Sequence, residues 1–436
     1  MSLSSKGQGP VRPGPDASLD AWLSYLEALH PSEIDMGLDR VLLVLRRLMP
    51  GRPGGRIITV GGTNGKGSTV ACIEALLLAA GRRVGTYTSP HLTRYNERIR
   101  VNGQDVDDAS LISAFEKIEA ARGSVSLTYF EFGTLAAFLV MQEAGLDDWV
   151  LEVGLGGRLD AVNVLDADLA IITSVDIDHA AWLGNDRETI GFEKAGILRQ
   201  GRPAIYADQA PPGSVLQQAR AQQVPLWRYG VDYSVPEDGS RVDIPELDRR
   251  VPLPVTPLPV TSLAAAVMAV LWLEPDLSDT TIFSTLARVR VPGRFECLQE
   301  HPRVVLDVGH NPHAARWLAA RMNEIAPPPG KVFAVYACLE DKDSAGVVVE
   351  LMGTVDHWIL AGLSGNRGLG VPALESRLQG LLAAGTQHSC DTVTEGVNLA
   401  LERASPEDLI IVFGSFYTVA EARLYLLSTL GGGKGS

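Results

Sequence analysis

The sequence predicts an α/β protein with a larger domain, which holds a phosphate-binding loop on a mostly parallel sheet, and a smaller Rossmann-like domain behind it. From residue 56 to about 290, short apolar strands alternate with stretches of helical periodicity, which is typical of a parallel sheet wrapped by helices. The segment "VPGRFE" interrupts this alternation, and a second alternation starts at "RVVLDV". A glycine-rich turn, "VGGTNGKGST", joins the first strand to the helix that follows it.

The elements of the larger domain can be assigned in chain order. Residues 19–48 have helical periodicity that is interrupted near His30 and Pro31. Strands are predicted at "RIITV", "RRVGTYT", "DWVLEV", "DLAIITSV" and "RPAIYA". Helices are predicted at "TVACIEALLLAAG", "LISAFEKIEAA", "FEFGTLAAFLVMQEAG", "ETIGFEKAGIL", "TSLAAAVMAVLWL" and "DTTIFSTLARV". Residues 224–256 are irregular and rich in proline, which predicts a small β excursion.

The smaller domain repeats the pattern, with strands predicted at "RVVLDV", "KVFAVYA", "VDHWILA" and "DLIIVFG". We place a hinge near residues 293–300, which gives a larger domain at 19–296 and a smaller one at 297–436. Residues 1–18 are rich in Gly, Pro and Ser and have no apolar core, so they predict a flexible tail and not a signal peptide.

Composition excludes several classes of protein. The formal net charge is -14, which argues against a general nucleic-acid binder. No run approaches the roughly 18 apolar residues of a membrane span. The four cysteines lie at 72, 297, 338 and 390 and form no C-x-x-C pair, so neither a zinc site nor a disulfide framework is indicated. We expect a cytoplasmic protein.

The loop at residues 60–69 departs from the usual phosphate-loop pattern, G-x-x-x-x-G-K-[ST]. The spacing from Gly61 to Lys66 is one residue short, and Gly67 separates Lys66 from Ser68. Because the loop joins a strand to a helix, backbone N–H groups and the helix dipole meet there, which favours phosphate binding by Lys66. The alternative is an exposed lysine in a glycine turn.

Polar residues follow three of the predicted strands. Ser89 comes after "GTYT", Glu152 lies within "WVLEVG", and His179 comes after "ITSVDID". Ligands of open α/β sheets gather at the carboxyl ends of the strands, and Mg²⁺ prefers hard donors, so these residues predict a metal site. Taken singly, His179 can be structural, and Glu152 can form a salt bridge with Arg158.

Further candidates are Lys194 in "GFEKAGIL", Arg294 in the hinge, and Asp307 and His310 in "LDVGHNPHAA". Lys194 alone would be a surface lysine. Asp307 and His310 close the first strand of the smaller domain and open its first helix, which suits contacts to a ligand, although "HNP" can also be a capped turn. The glycine-rich segment "GLGGRLDAVN" is either a functional loop or a flexible connection.

Eight motifs in collinear order resemble the dihydrofolate synthase/folylpolyglutamate synthase family of the Mur ligase superfamily. The resemblance runs from about residue 19 to 428, and the segment "WLSYLEALHPSEIDMGLDRV" is similar to the bifunctional bacterial members. The motifs are "VGGTNGKGST", "TSPHLTRYNERIR", "LEVGLGGRLDAVN", "ITSVDIDH", "FEKAGI", "VPGRFE", "LDVGHNP" and "GSFYTVAEA".

The resemblance implies an ATP-dependent ligase that joins L-glutamate to 7,8-dihydropteroate and extends tetrahydrofolates with glutamate. The substrate carboxylate would attack ATP to give an acyl phosphate, which the glutamate amine then attacks. The implied partners are these small molecules, with no nucleic acid and no membrane, and the implied state is a monomer. The implied cofactor is Mg²⁺, with two ions per site.

The resemblance also implies roles for particular residues. The ATP contacts would be Asn64, Gly65, Lys66, Gly67, Ser68, Thr69, Ser262, Arg294 and Asp307. The metal ligands would be Ser89 and Glu152 for one ion and His179 for the other, and Lys194 would be carbamylated to N6-carboxylysine. The catalytic residues would be Lys66, His179, Lys194 and His310. The pterin contacts would be Ile34, Asp35, Met36, Thr128, Tyr129, Phe130, Glu131, Leu159, Asp160 and Ala161. The segments 339–343 and 414–418 are candidates for the glutamate side.

One position departs from the family pattern. The family usually has asparagine in "LPxxNAA", whereas this chain has Ser262 in "LPVTSLAAA", which puts that nucleotide contact in doubt.

Two alternative functions remain. A peptidoglycan-precursor ligase of the same superfamily is disfavoured by "TSPHL", "YFEFGT" and "HNP". A catalytically inactive nucleotide-binding paralogue would be expected to lose Lys66, Glu152, His179 or Lys194, and all four are present.

Overall fold

The computed structural model describes residues 10–14, 16–30, 32, 34–324, 330–365, 367–383 and 385–431. The described residues up to 90 and residues 95–289 form one compact unit, and residues 91–94 and the described residues from 290 onward form the other. The predicted flexible tail, residues 1–18, lies largely outside the described residues. Within the described chain, no helix is long and apolar enough to cross a membrane.

The first unit is built on an eight-stranded sheet with the order β4-β3-β2-β5-β1-β6-β7-β8. The strands from β2 to β8 in this order are parallel, and β3 and β4 add an antiparallel edge. The central strands are apolar and fully buried, as expected for a sheet that is covered on both faces. The strands are β1 (Arg56–Gly61), β2 (Val84–Tyr87), β3 (Ile99–Val101), β4 (Gln104–Asp105), β5 (Asp148–Glu152), β6 (Leu169–Ile172), β7 (Ala204–Tyr206) and β8 (Leu226–Arg228).

Helices cover this sheet. The helices are α1 (Leu19–Leu29), α2 (Asp39–Leu48), α3 (Lys66–Ala79), α4 (Asp108–Arg122), α5 (Tyr129–Ala144), α6 (Ala180–Leu183), α7 (Arg187–Ala195), α8 (Gly213–Ala221), α9 (Val260–Leu273) and α10 (Asp279–Leu286). Helices α1, α2, α4 and α5 share one apolar core with Ile57 and Trp149 of the sheet. Helix α3 packs against α9 and α10. The β excursion predicted at residues 224–256 is present in part, as a two-stranded antiparallel sheet of β9 (Arg241–Ile244) and β10 (Arg249–Pro252), whereas β8 (Leu226–Arg228) belongs to the main sheet.

The second unit contains a six-stranded sheet with the order β11-β12-β16-β13-β14-β15, in which only the β11–β12 pairing is antiparallel. The strands are β11 (Glu296–Glu300), β12 (Arg303–Asp307), β13 (Val332–Tyr336), β14 (His357–Ala361), β15 (Gln387–Cys390) and β16 (Leu409–Phe413). The helices are α11 (Pro312–Glu324), α12 (Ser344–Leu351), α13 (Val371–Leu378), α14 (Val393–Arg403) and α15 (Phe416–Gly431). Apolar side chains from this sheet face a separate core on each side.

The segment that the sequence predicts as a hinge, residues 293–300, largely forms the edge strand β11. Its N-terminal part is tied to β12, because the Phe295 N–H donates to Asp307 Oδ2 at 2.9 Å. The Val308 N–H also donates to the Gly293 carbonyl at 2.9 Å. The compact units therefore divide after Val289, earlier in the chain than residue 296. The functional domains at 19–296 and 297–436 stay a prediction.

Candidate active site

The predicted phosphate loop, residues 60–69, connects β1 to α3 at the carboxyl edge of the large sheet. Its backbone has positive φ at Gly62 (+145°) and Gly65 (+84°). A Cβ at position 62 would lie 1.9 Å from the Thr173 hydroxyl, so the loop requires glycine there. Lys66 begins α3, and its Nζ donates to the carbonyls of Gly62 and Thr63 at 3.1 and 3.3 Å. The ammonium group is therefore held over the loop itself.

The other loop residues differ in burial. Ser68 and Thr69 are buried in the first turn of α3, whereas Asn64, Gly65 and Gly67 are partly exposed. Ser262, near the start of α9, is buried, and its hydroxyl donates to the Gly65 carbonyl at 3.4 Å. The structure thus places Ser262 against the loop backbone.

Hydroxyl groups at the end of β6 hold the loop from one side, and the sequence analysis missed them. Thr173 Oγ1 donates to the Asn64 carbonyl at 2.6 Å. Ser174 Oγ accepts the Asn64 N–H at 3.1 Å. The Thr63 N–H donates to the Ser174 carbonyl at 2.9 Å. A signal was available, because "TS" follows an apolar strand at the same sheet edge as the loop.

Ser89 and Glu152 lie together, as the strand order requires. Glu152 ends β5 and is buried, and its Oε2 accepts the Ser89 N–H at 3.2 Å. A carboxylate and a hydroxyl at this edge are hard donors that fit Mg²⁺. Among the described residues, no group of three or more His, Cys, Asp or Glu side chains forms a metal site. A metal here would therefore need oxygen atoms from water or substrate phosphates as well.

His179 stands at the start of the short helix α6, with a left-handed backbone (φ +51°). Its N–H donates to Asp178 Oδ1 at 2.8 Å. Positive φ is uncommon in residues other than glycine and is often found at functional sites. His179 therefore has a defined backbone position in the loop that follows β6.

Lys194 is not a surface residue, because it lies on the buried face of α7 and is only 3% exposed. Burial lowers the pKa of its amine to about 7, and the charge of Lys66 lowers it further, while Asp178 and Asp160 act in the opposite direction. A large fraction of the amine is therefore neutral near pH 7. A neutral amine is the form that can react with carbon dioxide to give a carbamate.

The segment 154–163 is an ordered loop that lies against α7. Asp160 accepts the N–H groups of Leu155 and Val162 at 2.9 and 3.0 Å, and burial raises the pKa of this carboxyl to about 6. A Cβ at Gly157 would lie 2.8 Å from the Glu193 carbonyl, so glycine permits the close approach. The Arg158 guanidinium forms an ion pair with Glu193 at 2.8 Å. The salt bridge that the sequence analysis considered for Arg158 was with Glu152 instead.

Two of the predicted pterin contacts cap the start of α5. The Thr128 hydroxyl accepts the Glu131 N–H at 3.2 Å, and Glu131 Oε2 accepts the Thr128 N–H at 2.7 Å. Arg40 NH2 also donates to Glu131 Oε1 at 2.9 Å and to the Asp35 carbonyl at 2.9 Å. This network connects the segment around Asp35 to the start of α5.

The other predicted pterin contacts lie around the same segments. The ring of Phe130 packs against Gly154, where an added Cβ would be 2.5 Å from the ring. The Met36 side chain lies near Gly156. The structure brings the segments 34–36, 128–131 and 154–161 of the first unit into one region. The remaining members of the set, Ile34, Tyr129 and Leu159, are partly buried, and Ala161 is buried.

The second unit holds Arg294, Asp307 and His310 close together. Asp307 is buried, and its Oδ1 accepts the Gly309 N–H at 2.7 Å. Burial raises the pKa of this carboxyl, and the charge of Arg294 opposes the shift. The Arg294 guanidinium lies 4.9 Å from the centre of the Phe416 ring. His310 Nδ1 donates to the Val308 carbonyl at 2.9 Å.

The candidate glutamate segments, 339–343 and 414–418, are ordered in the second unit. Arg377 NH1 donates to the Glu340 carbonyl at 2.8 Å, and Lys342 is buried. The Ser415 and Thr418 hydroxyls lie 2.7 Å apart, and Thr418 also donates to the Ala337 carbonyl at 2.8 Å. Both segments have fixed backbones, while their role stays a prediction.

Comparison with known families defines the class of protein first. Residues 60–242 match the Mur ligase middle domain, and residues 293–416 match the Mur ligase glutamate ligase domain. These matches cover the phosphate loop, Lys194 and the Asp307–His310 region. The chain is therefore a Mur ligase, which confirms the predicted class of fold.

The relatives define the family. The chain is 45% identical to the dihydrofolate synthase/folylpolyglutamate synthase of Escherichia coli over 95% of this chain and 97% of that protein. It is 40% identical to the protein of the same name from Haemophilus influenzae, over 92% of this chain and 96% of that protein. The chain belongs to the dihydrofolate synthase/folylpolyglutamate synthase family, and the family predicted from the motifs is confirmed.

Solved structures agree in fold. The Escherichia coli protein FolC in complex with DHPP and ADP has a TM-score of 0.91 and 42% identity, and the match covers 96% of this chain and all of that chain. A bifunctional folylpolyglutamate synthase/dihydrofolate synthase with Mn, AMPPNP and L-glutamate bound has a TM-score of 0.88 and 44% identity, with coverage of 96% and 99%.

Proposed function

We propose that this chain is an ATP-dependent ligase that joins L-glutamate to 7,8-dihydropteroate and adds glutamate to tetrahydrofolates. One observation carries the proposal: the phosphate loop with Lys66, the Ser89–Glu152 pair and the buried Lys194 all belong to the carboxyl edge of one parallel sheet. This edge is where such sheets bind ligands. The relatives named above have the same two activities in their names.

In the first step, an oxygen of the substrate carboxylate attacks the γ-phosphorus of ATP, and the bond from that phosphorus to ADP breaks. This transfer depends mainly on positioning and on neutralising charge. The backbone of the loop and the start of α3 supply N–H groups, and Lys66 supplies a positive charge to the phosphates. In the second step, the glutamate amine attacks the acyl carbon, and phosphate leaves.

We assign the metal sites to Ser89 and Glu152 for one Mg²⁺ and to His179 for a second. The bound cation would neutralise phosphate oxygen charge during the transfer. The Glu152 carboxylate is oriented for this role by the Ser89 N–H. A solved relative holds Mn with AMPPNP, which supports a divalent metal beside the nucleotide.

We propose that Lys194 is carbamylated in the active protein. Its neutral amine would attack carbon dioxide, lose one proton to water, and become an anionic carbamate. This change replaces an amine whose charged form Lys66 repels with an anion that Lys66 attracts. In the second unit, Arg294 and Asp307 are the proposed nucleotide contacts, and His310 is the proposed catalytic residue.

The experiment that tests the function measures ADP release by the purified chain with ATP, Mg²⁺, L-glutamate and one acceptor at a time. We expect ADP release with dihydropteroate and with tetrahydrofolate, and none with a UDP-muramoyl acceptor. Turnover with the muramoyl acceptor alone would make the chain a peptidoglycan-precursor ligase. Absence of turnover with all three, in protein that binds ADP, would make it an inactive paralogue.

We further propose that the protein acts as a monomer in the cytoplasm. Its substrates are small, and the proposed groups all come from one chain. Light scattering of the purified protein with and without substrates measures the oligomeric state directly.

A further inference from the structure

We propose that Thr173 is a positioning residue for the phosphate loop, acting through the peptide group between Asn64 and Gly65. Thr173 Oγ1 lies 2.6 Å from the Asn64 carbonyl and 3.2 Å from the Gly61 carbonyl. A hydroxyl has one proton to donate, and the Gly61 carbonyl already accepts the Thr173 N–H at 2.9 Å. The Thr173 hydroxyl therefore donates its proton to the Asn64 carbonyl.

This bond sets the direction of the next N–H group along the chain. In a trans peptide, the carbonyl of one residue and the N–H of the next point in opposite directions. Because the Asn64 carbonyl is turned toward the end of β6, the Gly65 N–H is directed away from β6. Gly65 immediately precedes α3, where N–H groups have no helical acceptor and bind phosphate oxygens.

Ser174 fixes the other side of Asn64. Its Oγ accepts the Asn64 N–H at 3.1 Å and lies 3.3 Å from the Asn64 carbonyl. Both polar groups of the Asn64 backbone are thus engaged by the two residues that follow β6. Thr173 and Ser174 are 6% and 5% exposed, so water competes little for these bonds.

The Thr173 hydroxyl packs closely against the loop at Gly62. A Cβ at Gly62 would lie 1.9 Å from Thr173 Oγ1, so the hydroxyl fills the space that this glycine leaves. The loop is therefore held in shape before a nucleotide binds. Such preorganisation lowers the cost of ordering the loop around the phosphates.

The proposal rests on the proposed function, because it assumes that this loop binds ATP. The test replaces Thr173 with valine, which has the same shape and lacks the hydroxyl. We expect KM for ATP, and Kd for Mg²⁺–ADP measured by calorimetry, to rise about tenfold, since the Asn64 carbonyl loses its donor at 2.6 Å and keeps only the Ser174 hydroxyl at 3.3 Å. KM for dihydropteroate should change less than about twofold, because the change is local to the loop. Thr173→Ser should restore the wild-type values, and Ser174→Ala should shift them in the same direction as valine.

Thr59→Val is the matched control. Thr59 lies on the neighbouring strand β1 and is buried, and its hydroxyl has no partner within the part of the chain that the structure describes. This control should keep the wild-type KM values. An unchanged Kd for Mg²⁺–ADP in Thr173→Val, or an equal rise in both KM values with a lower Tm, would overturn the proposal. Failure of the wild-type protein to bind nucleotide would instead refute the proposed function.

Discussion

At the scale of single residues, burial of Lys194 lowers the stability of the folded protein and also keeps the amine in the neutral form that the proposed carbamylation needs. Its pKa falls from 10.5 to about 7 in the folded protein, chiefly because the amine is buried. Between about pH 7 and pH 10.5, Lys194 binds a proton in the unfolded chain and not in the folded chain. The wild-type stability therefore decreases as the pH falls from about 10 to 7.

This difference predicts the behaviour of Lys194→Met. In buffers free of carbon dioxide, we expect the variant to melt at a higher temperature than the wild type, with a difference that grows as the pH falls from 10 to 7. The variant should also lose ligase activity. Lys117→Met, at an exposed position, serves as the control and should show no such pH dependence. A difference in Tm that is constant over this range would contradict the burial of a titrating amine.

The sequence indicated Lys66 and Glu152 because charged residues stand out in apolar or glycine-rich contexts. Lys194 alone would be a surface lysine, and only the family resemblance gave it a role. Thr173 and Ser174 carry no charge, and small hydroxyl residues are common after strands. Their contact with the loop depends on the register of β6 against β1, in which Gly61 lies opposite Ile172. The sequence places Thr173 and Ser174 at the same sheet edge as the loop, whereas the register, and with it the contact, is a property of the folded sheet.

At the scale of elements, the long buried strands and amphipathic helices were predictable, and the short edge strands were not. The β3–β4 hairpin was missed, although Asn102 and Gly103 both have positive φ and form the Asn-Gly turn that is typical of hairpins. Strand β15 is short and only partly buried, so its apolar pattern is weak. Helix α3 begins at Lys66, three residues before the predicted start, because the Gly65 carbonyl already accepts the Thr69 N–H.

The start of α5 offers a prediction at this scale. Thr128→Ala removes the acceptor of the Glu131 N–H, so we expect a loss of about 1 kcal/mol in the free energy of unfolding, measured by denaturant titration. Thr128→Ser keeps a hydroxyl at the same position and should retain wild-type stability. Equal stability of the alanine and serine variants would show that the cap contributes little to α5.

At the scale of the whole molecule, the fold class and the family were predictable because eight motifs occur in order along one chain. Each motif alone is compatible with several protein families, whereas all eight in this order over residues 19–428 are compatible with one family only. The division of the chain into two compact units was harder to predict from the sequence. Residues 91–94 belong to the second unit although they lie between strands of the first, and nothing in "HLTR" indicates this.

Nucleotide binding should change the stability of the molecule. We expect Mg²⁺–ADP to raise Tm, with a stabilisation of about 2.7 kcal/mol at a concentration of 100 times Kd. A chelator should reduce this shift, because the metal proposed at Glu152 would neutralise the phosphates. Lys66→Ala should fold normally, since backbone and glycines form the loop, and should lose most of the shift. A full shift in Lys66→Ala would place the nucleotide elsewhere.

The excursion of residues 91–94 limits how this gene can be rearranged. The polypeptide passes between the two units three times, after positions 90, 94 and 289. Leu92 packs among the apolar side chains beside Val419, so a fragment that starts at residue 290 lacks part of its own interior. A hybrid that takes its C-terminal unit from a relative by a single crossover at residue 290 would therefore keep Leu92 of this chain against a foreign set of apolar side chains.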